Sequence, residues 1–149
     1  MDLITGLFDM DFAALVPEMG TMLGLVRVIL SLLLLAVPLS MLILGVMYLF
    51  MAPPEANYKF GFRTYFGMGS VEAWKFSQKI AGIAFAGLGL ILLVIAIIVD
   101  FSFIGRDTYQ IATTAIVTFL WQAGLALIAR LVVGILAAVY FTAKGQRRR

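Results

Sequence analysis

Three long runs of hydrocarbon side chains constrain this sequence more than any other feature. Val28 to Met51 carries no charge and is interrupted only by Ser31, Pro38 and Ser40. Ile80 to Val99 has no polar side chain, and Ile111 to Phe141 is apolar apart from its threonines, Gln122 and Arg130. Crossing a hydrocarbon layer of about 30 Å takes about 20 helical residues. The runs therefore predict an all-α bundle of three transmembrane helices, near residues 22–51, 79–100 and 111–141. The outer two are longer than a crossing needs, so tilt, kinking or protrusion is expected. Pro38 is expected to kink the first. The whole chain agrees, because only 13% of its residues are charged, against roughly 25% in a soluble domain. That leaves too little polar surface to face water, and the 149 residues read as one membrane domain.

The residue types exclude much chemistry. With no cysteine and no histidine, neither a disulfide framework, a thiolate metal site nor imidazole catalysis is available. Ser31 and Ser40 have no base placed beside them, and no two carboxylates converge near a nucleophile. No Gly-Lys-Ser/Thr phosphate loop or dinucleotide fingerprint is present. No enzymatic activity, catalytic residue, cofactor or metal is expected. The net charge of +3 comes mostly from the first connector and the tail at 142–149. It suits anionic lipid headgroups rather than nucleic acid.

The first helix does not read as a cleaved signal peptide, which would begin with basic residues. This chain begins with Asp2, Asp9, Asp11 and Glu18, and Arg27 is its first cation. Leu3, Leu7, Phe8, Phe12 and Leu15 recur at helical spacing, which predicts a short interfacial helix within residues 1–20. Pro17 and Gly20 are expected to end it. Three crossings put the first connector and the C-terminus on one side. That side holds Lys59, Arg63, Lys75, Lys79, Lys144 and Arg147 to Arg149, while the other has Arg106 among Asp2, Asp9, Asp11, Glu18, Asp100 and Asp107. The positive-inside rule predicts the N-terminus outside and the C-terminus in the cytoplasm.

Each span carries small residues on one stripe. In the second, Gly82, Ala86, Gly89, Ala96 and Asp100 follow a 4-3-7-4 spacing, which at about 100° per residue keeps them on one face. The stripe extends back to Gln78 and Lys75. The third span offers Ala123, Ala126, Arg130, Gly134 and Ala137, and the first offers Gly20, Gly24, Arg27, Ser31, Pro38 and Gly45. Small residues allow the close backbone approach that holds helices together in lipid, so the three stripes are expected to face one another. Arg130 is expected at mid-membrane, facing the bundle or a wet cavity, since an unpaired arginine there costs ~2.5–3.5 kcal/mol even on the lenient scale. Thr118 and Gln122 would extend a polar track outward from it. Glu55 or Glu72 would reach it only if the first connector folded back into the bundle. Arg27 is expected to pair with Asp100 as an anchoring salt bridge.

The connector NYKFGFRTYFGMGSVEAW, Asn57 to Trp74, sets Arg63 among aromatic residues and glycines. Pro53 and Pro54 stop the first helix. Ser70 is a credible N-cap for a helix starting near Val71, with Glu72 favouring its dipole. Phe60, Phe62, Tyr65, Phe66 and Trp74 would form an aromatic belt at the membrane–water boundary. Arg63 either clamps the loop on carbonyls or on Glu55/Glu72, or receives an anionic ligand such as a lipid phosphate or a peptide carboxylate.

Pro54, Asn57, Gly61-Phe62-Arg63-Thr64 and the run from Ser70 to Lys79 (SVEAWKFSQK) leading to Gly82 resemble the signature of the SdpI/YfhL family of bacterial membrane proteins. The resemblance covers about 30 residues in matching order and spacing. The stretch Pro54-Glu-Ala-Asn57 is one residue longer than the family's P-x-N. The resemblance implies a bacterial plasma-membrane protein. The family's namesake is an immunity protein against a membrane-active peptide toxin, and it signals by holding a transcriptional repressor at the membrane. On that footing the site residues are Asn57, Gly61, Arg63, Thr64 and Trp74, with Arg27, Asp100, Gln122 and Arg130 as intramembrane polar residues. The partners implied are membrane lipids, a peptide toxin, and a soluble repressor or membrane-protein partner. A homo-oligomer, an accessory subunit of a larger complex and a small oligomeric transporter or lipid-binding protein are the competing readings.

Overall fold

The structure is a computed structural model in which residues 12–56 and 59–148 are described, with side chains from residue 20 onward. Asn57 and most of the expected interfacial segment lie outside these residues. The described chain is helical. Helix α1 spans Phe12–Phe50, α2 spans Val71–Phe101 and α3 spans Thr108–Tyr140. Each is long and apolar enough to cross a membrane. The one β feature among the described residues is an isolated bridge between Phe141 and Arg147.

Helix α1 runs unbroken through Pro17, Gly20 and Pro38, which corrects the expectation that Pro17 and Gly20 end a separate helix. In lipid every freed backbone group costs several kcal/mol, so a continuous helix wins over a break. At 1.5 Å per residue α1 is about 58 Å long, some 12 Å longer than α2. Its residues 20–29 are exposed on every side.

Helices α1 and α2 share the most extensive contact. A Cβ added to Gly45 would overlap the backbone of Ala86, and one on Gly82 would sit 2.5 Å from Leu49 Cγ and 3.0 Å from the Gly45 carbonyl. At Gly89 it would meet the Leu42 nitrogen at 2.7 Å and the Pro38 carbonyl at 3.1 Å. The α2 stripe is therefore a backbone-to-backbone seam, as its spacing indicates. It continues into Gln78 and Trp74, both buried, whereas Lys75 is exposed. The α1 stripe is a seam only from Ser31 inward, because Gly20 and Gly24 face open space. Helix α3 packs through Ile111, Ala115, Gln122, Val133 and Ala137, and of its small-residue stripe Ala126 and Ala137 face the bundle while Arg130 is exposed.

The core falls into two clusters. Met41, Phe62, Ala81, Phe85, Leu92 and Val133 fill the half nearer the first connector. Leu34, Ala96, Phe103, Ile111 and Ala115 fill the other half. At the far end Phe103 plugs the bundle, Gly105 turns the chain at φ +78°, and Asp107 caps α3 by accepting from the Gln110 N–H at 2.8 Å. The connector and C-terminus share the opposite, basic end. There Phe141 to Arg148 folds into a small hairpin: Thr142 donates to the Gln146 carbonyl and Arg148 to the Tyr140 carbonyl, each at 2.8 Å. Its Gly145, at φ +72°, packs against Gly69 and Ser70. The Ser70 hydroxyl accepts from Ala73 N–H at 3.1 Å as the α2 N-cap and donates to the Gly145 carbonyl at 2.8 Å. The expected basic tail is thus an ordered part of the domain through residue 148.

A candidate anion groove beside the folded connector

The first connector is folded into the bundle. Phe62, a loop residue, is 1% exposed and belongs to the core. Its backbone is buried with it, and its N–H and C=O need partners there. Gln78 supplies both: its Oε1 accepts from Phe62 N–H and its Nε2 donates to the Phe62 carbonyl, each at 2.8 Å. The side-chain amide acts as one residue of a strand partner. Gly61 brings the chain to this position with φ +124°, and a Cβ there would lie 2.5 Å from the Trp74 ring. Trp74 is fully buried and donates its indole N–H to the Pro53 carbonyl at 2.8 Å. The loop then closes on Thr64, whose hydroxyl oxygen accepts from Gly67 N–H at 2.9 Å. Phe62 and Trp74, expected in a boundary belt, are instead the pillars of the fold. Tyr65, at 76% exposure and edge-on to Phe66, is a residue of the kind such a belt needs.

This folding sets Arg63 beside Arg130. Phe62, Arg63, Thr64, Arg130, Gly134 and Ile135 line one open groove of about 300 Å³. The Arg130 guanidinium stands 5.6 Å over the Phe62 ring centroid, a cation–π distance. Phe62 is in turn edge-on to Tyr48 and Phe85. Both arginines are exposed, and Tyr48 lies within electrostatic reach of both. Neither arginine forms an ion pair among the described residues, and Glu55 and Glu72 are exposed without pairing to them.

Arg130 lies in the half of the bundle nearer the connector, where it adjoins Phe62, Arg63 and Thr64. Ala115 and Ala96 share a cluster on antiparallel helices. About 22 Å further along α3, at 1.5 Å per residue, Arg130 reaches the level of Ala81, beside the exposed Lys79. That level is toward the basic end of the bundle. Gln122 is turned the other way, 2% exposed, and its amide atoms have no hydrogen-bond partner among the described residues. Gln122 and Arg130 therefore do not form one polar track.

The expected Arg27–Asp100 pair is also absent. Asp100 accepts from the Ser31 hydroxyl at 2.5 Å, one turn deeper than Arg27. Arg27 lies with Arg106 along a shallow groove at the far end. The Gln78–Phe62 clasp and the C-terminal hairpin were not anticipated. The signal for the clasp was present, since Trp74, Gln78 and Gly82 continue the stripe of α2 at helical spacing.

Comparisons with curated proteins and with solved structures gave no match. The model of the SdpI/YfhL protein family matches residues 55–142. That stretch takes in the connector, α2, α3 and the start of the hairpin, which are the elements that build the arginine groove. With well over half of its length matched, this multi-pass membrane chain belongs to the SdpI/YfhL family.

Proposed function

We propose that this protein is a non-enzymatic immunity or resistance protein of the bacterial plasma membrane, with its N-terminus outside and its C-terminus in the cytoplasm. It protects the membrane from a membrane-active peptide toxin by binding the peptide or shielding the peptide's lipid target at the Arg63–Arg130 groove. Its basic face, with the ordered C-terminal hairpin, is where a soluble regulator docks. The observation that carries this reading is that Arg63 and Arg130 line one open groove without an ion pair among the described residues. Two cations lining one groove, with no carboxylate paired to them among the described residues, attract an anion. Family membership points the same way, because the family's namesake is an immunity protein. The test is expression in a sensitive bacterium challenged with a panel of peptide toxins. Survival that falls to the vector level in Arg63→Gln is expected, and absence of protection against every toxin would overturn the reading.

A second reading, an accessory subunit or homo-oligomer, is favoured by Gly20 and Gly24, which face open space on the exposed stretch of α1. Purification in mild detergent decides it: a monomer without a co-purifying partner removes it.

A further inference from the structure

We propose that the Arg63–Arg130 groove holds the phosphate of an anionic phospholipid, with an acyl chain lying along α3 over Leu131, Ile128 and Gly124. The proposal rests on the reading of this groove as an anion site and names the anion. Three observations carry it. The groove lies at the level of Ala81, beside Lys79 at the end of the uncharged run Ile80 to Val99, where a lipid headgroup would meet it, and its two guanidinium groups have no ion-pair partner among the described residues. Arginine's fixed donors match phosphate oxygens, and the attraction strengthens as water is excluded. Next, Leu131 and Ile135 of this groove share a stripe with Gly124 and Ile128 in a 4-3-4 spacing, which stays on one helical face. Gly124 and Ile128, with Leu120 and Trp121, line a second groove of about 320 Å³ that is almost wholly apolar. It lies deeper in the membrane than Arg130, on the side where acyl chains run from a headgroup. Finally, Gly124 has no neighbouring atom where a Cβ would stand, so a chain can approach the helix backbone there. A peptide carboxylate fits less well, because the peptide's own amides would be stranded in an apolar channel.

Trp121 reports on occupancy directly. It is 70% exposed in the apolar groove, whereas Trp74, the other tryptophan, is fully buried. The full chain is placed in phosphatidylcholine nanodiscs in which a minor fraction of lipid is replaced by phosphatidylglycerol or phosphatidylcholine with brominated acyl chains. Brominated phosphatidylglycerol is expected to quench Trp121 several-fold more effectively at equal fraction. Arg63→Gln and Arg130→Gln each reduce that preference part of the way, by at most about fivefold, the effect of one guanidinium near an anionic surface. The double variant brings it to parity, while Arg106→Gln at the far end leaves it unchanged. Helicity by circular dichroism identifies variants that have kept their fold. Parity in the unaltered protein, or a preference that survives both substitutions, would overturn the proposal. So would loss of the preference on adding inorganic phosphate or a short peptide with a free carboxylate, since either would make the headgroup alone, or another anion, the true ligand. Protection of cells without a lipid preference would sink this assignment and leave the resistance reading standing. A lipid preference without protection supports this assignment and sinks the other.

Discussion

Phe62 sits in a loop, yet its N–H and C=O are both taken by the Gln78 side chain. Leaving a buried backbone group unpaired costs ~1–3 kcal/mol. Gln78→Leu, which strands two such groups without opening a cavity, is expected to destabilise the protein by about 2–4 kcal/mol. Thermal unfolding in detergent followed by circular dichroism measures this, and an unchanged midpoint would show that the clasp does not hold the connector. Gly61→Ala is expected to cost more than about 2 kcal/mol, adding backbone strain at φ +124° to overlap with Trp74. Gly87→Ala, which meets nothing within 4 Å, is the neutral comparison. Within the connector the glycines, the N-cap Ser70 and the chain reversal were legible because each has a local cause. The burial of Phe62 was not, because loops have no period from which to read a face.

The three helices differ in how far their spacing revealed their packing. In α2 the interval between small residues matched the contact, since Gly82, Ala86 and Gly89 are all points of close approach to the α1 backbone. In α3 the pattern held in part: Ala126 and Ala137 pack on the bundle, whereas Arg130 is exposed and the packing face also takes in Ile111, Ala115, Gln122 and Val133. In α1 the stripe faces a neighbour at Gly45 and nothing at Gly24. These differences predict opposite outcomes for one substitution type. Gly89→Leu forces α1 and α2 apart and is expected to destabilise by about 3 kcal/mol or more, with loss of the folded species on size-exclusion chromatography. Gly24→Leu adds a side chain where no described atom stands and is expected to leave the thermal midpoint unchanged. A Gly24→Leu protein as unstable as Gly89→Leu would mean that the exposed stretch of α1 folds back on the bundle.

The whole molecule is asymmetric along the bundle axis. Lys59, Arg63, Lys75, Lys79, Lys144, Arg147 and Arg148 gather at the connector end, while Arg27 and Arg106 share the other end with Asp100 and Asp107. Such an imbalance sets membrane orientation, because basic segments are held back on the cytoplasmic side during insertion. It also bears on the groove, since anionic lipids concentrate in the cytoplasmic leaflet and a basic surface there draws them in. On the proposed reading, orientation and the supply of anionic lipid to the groove share one physical cause. The chain has no cysteine, so single cysteines can be introduced without removing any. Tyr65, 76% exposed at the basic end, and Ile104, 69% exposed in the far turn, are suited to it. In intact cells a membrane-impermeant maleimide is expected to label Ile104→Cys and to spare Tyr65→Cys until the membrane is permeabilised. The reverse pattern would put the arginine groove in the outer leaflet. A cytoplasmic regulator would then have no access to the connector, and the docking role of the basic face would fall, while the attraction between Arg63, Arg130 and a phosphate would persist in the opposite leaflet.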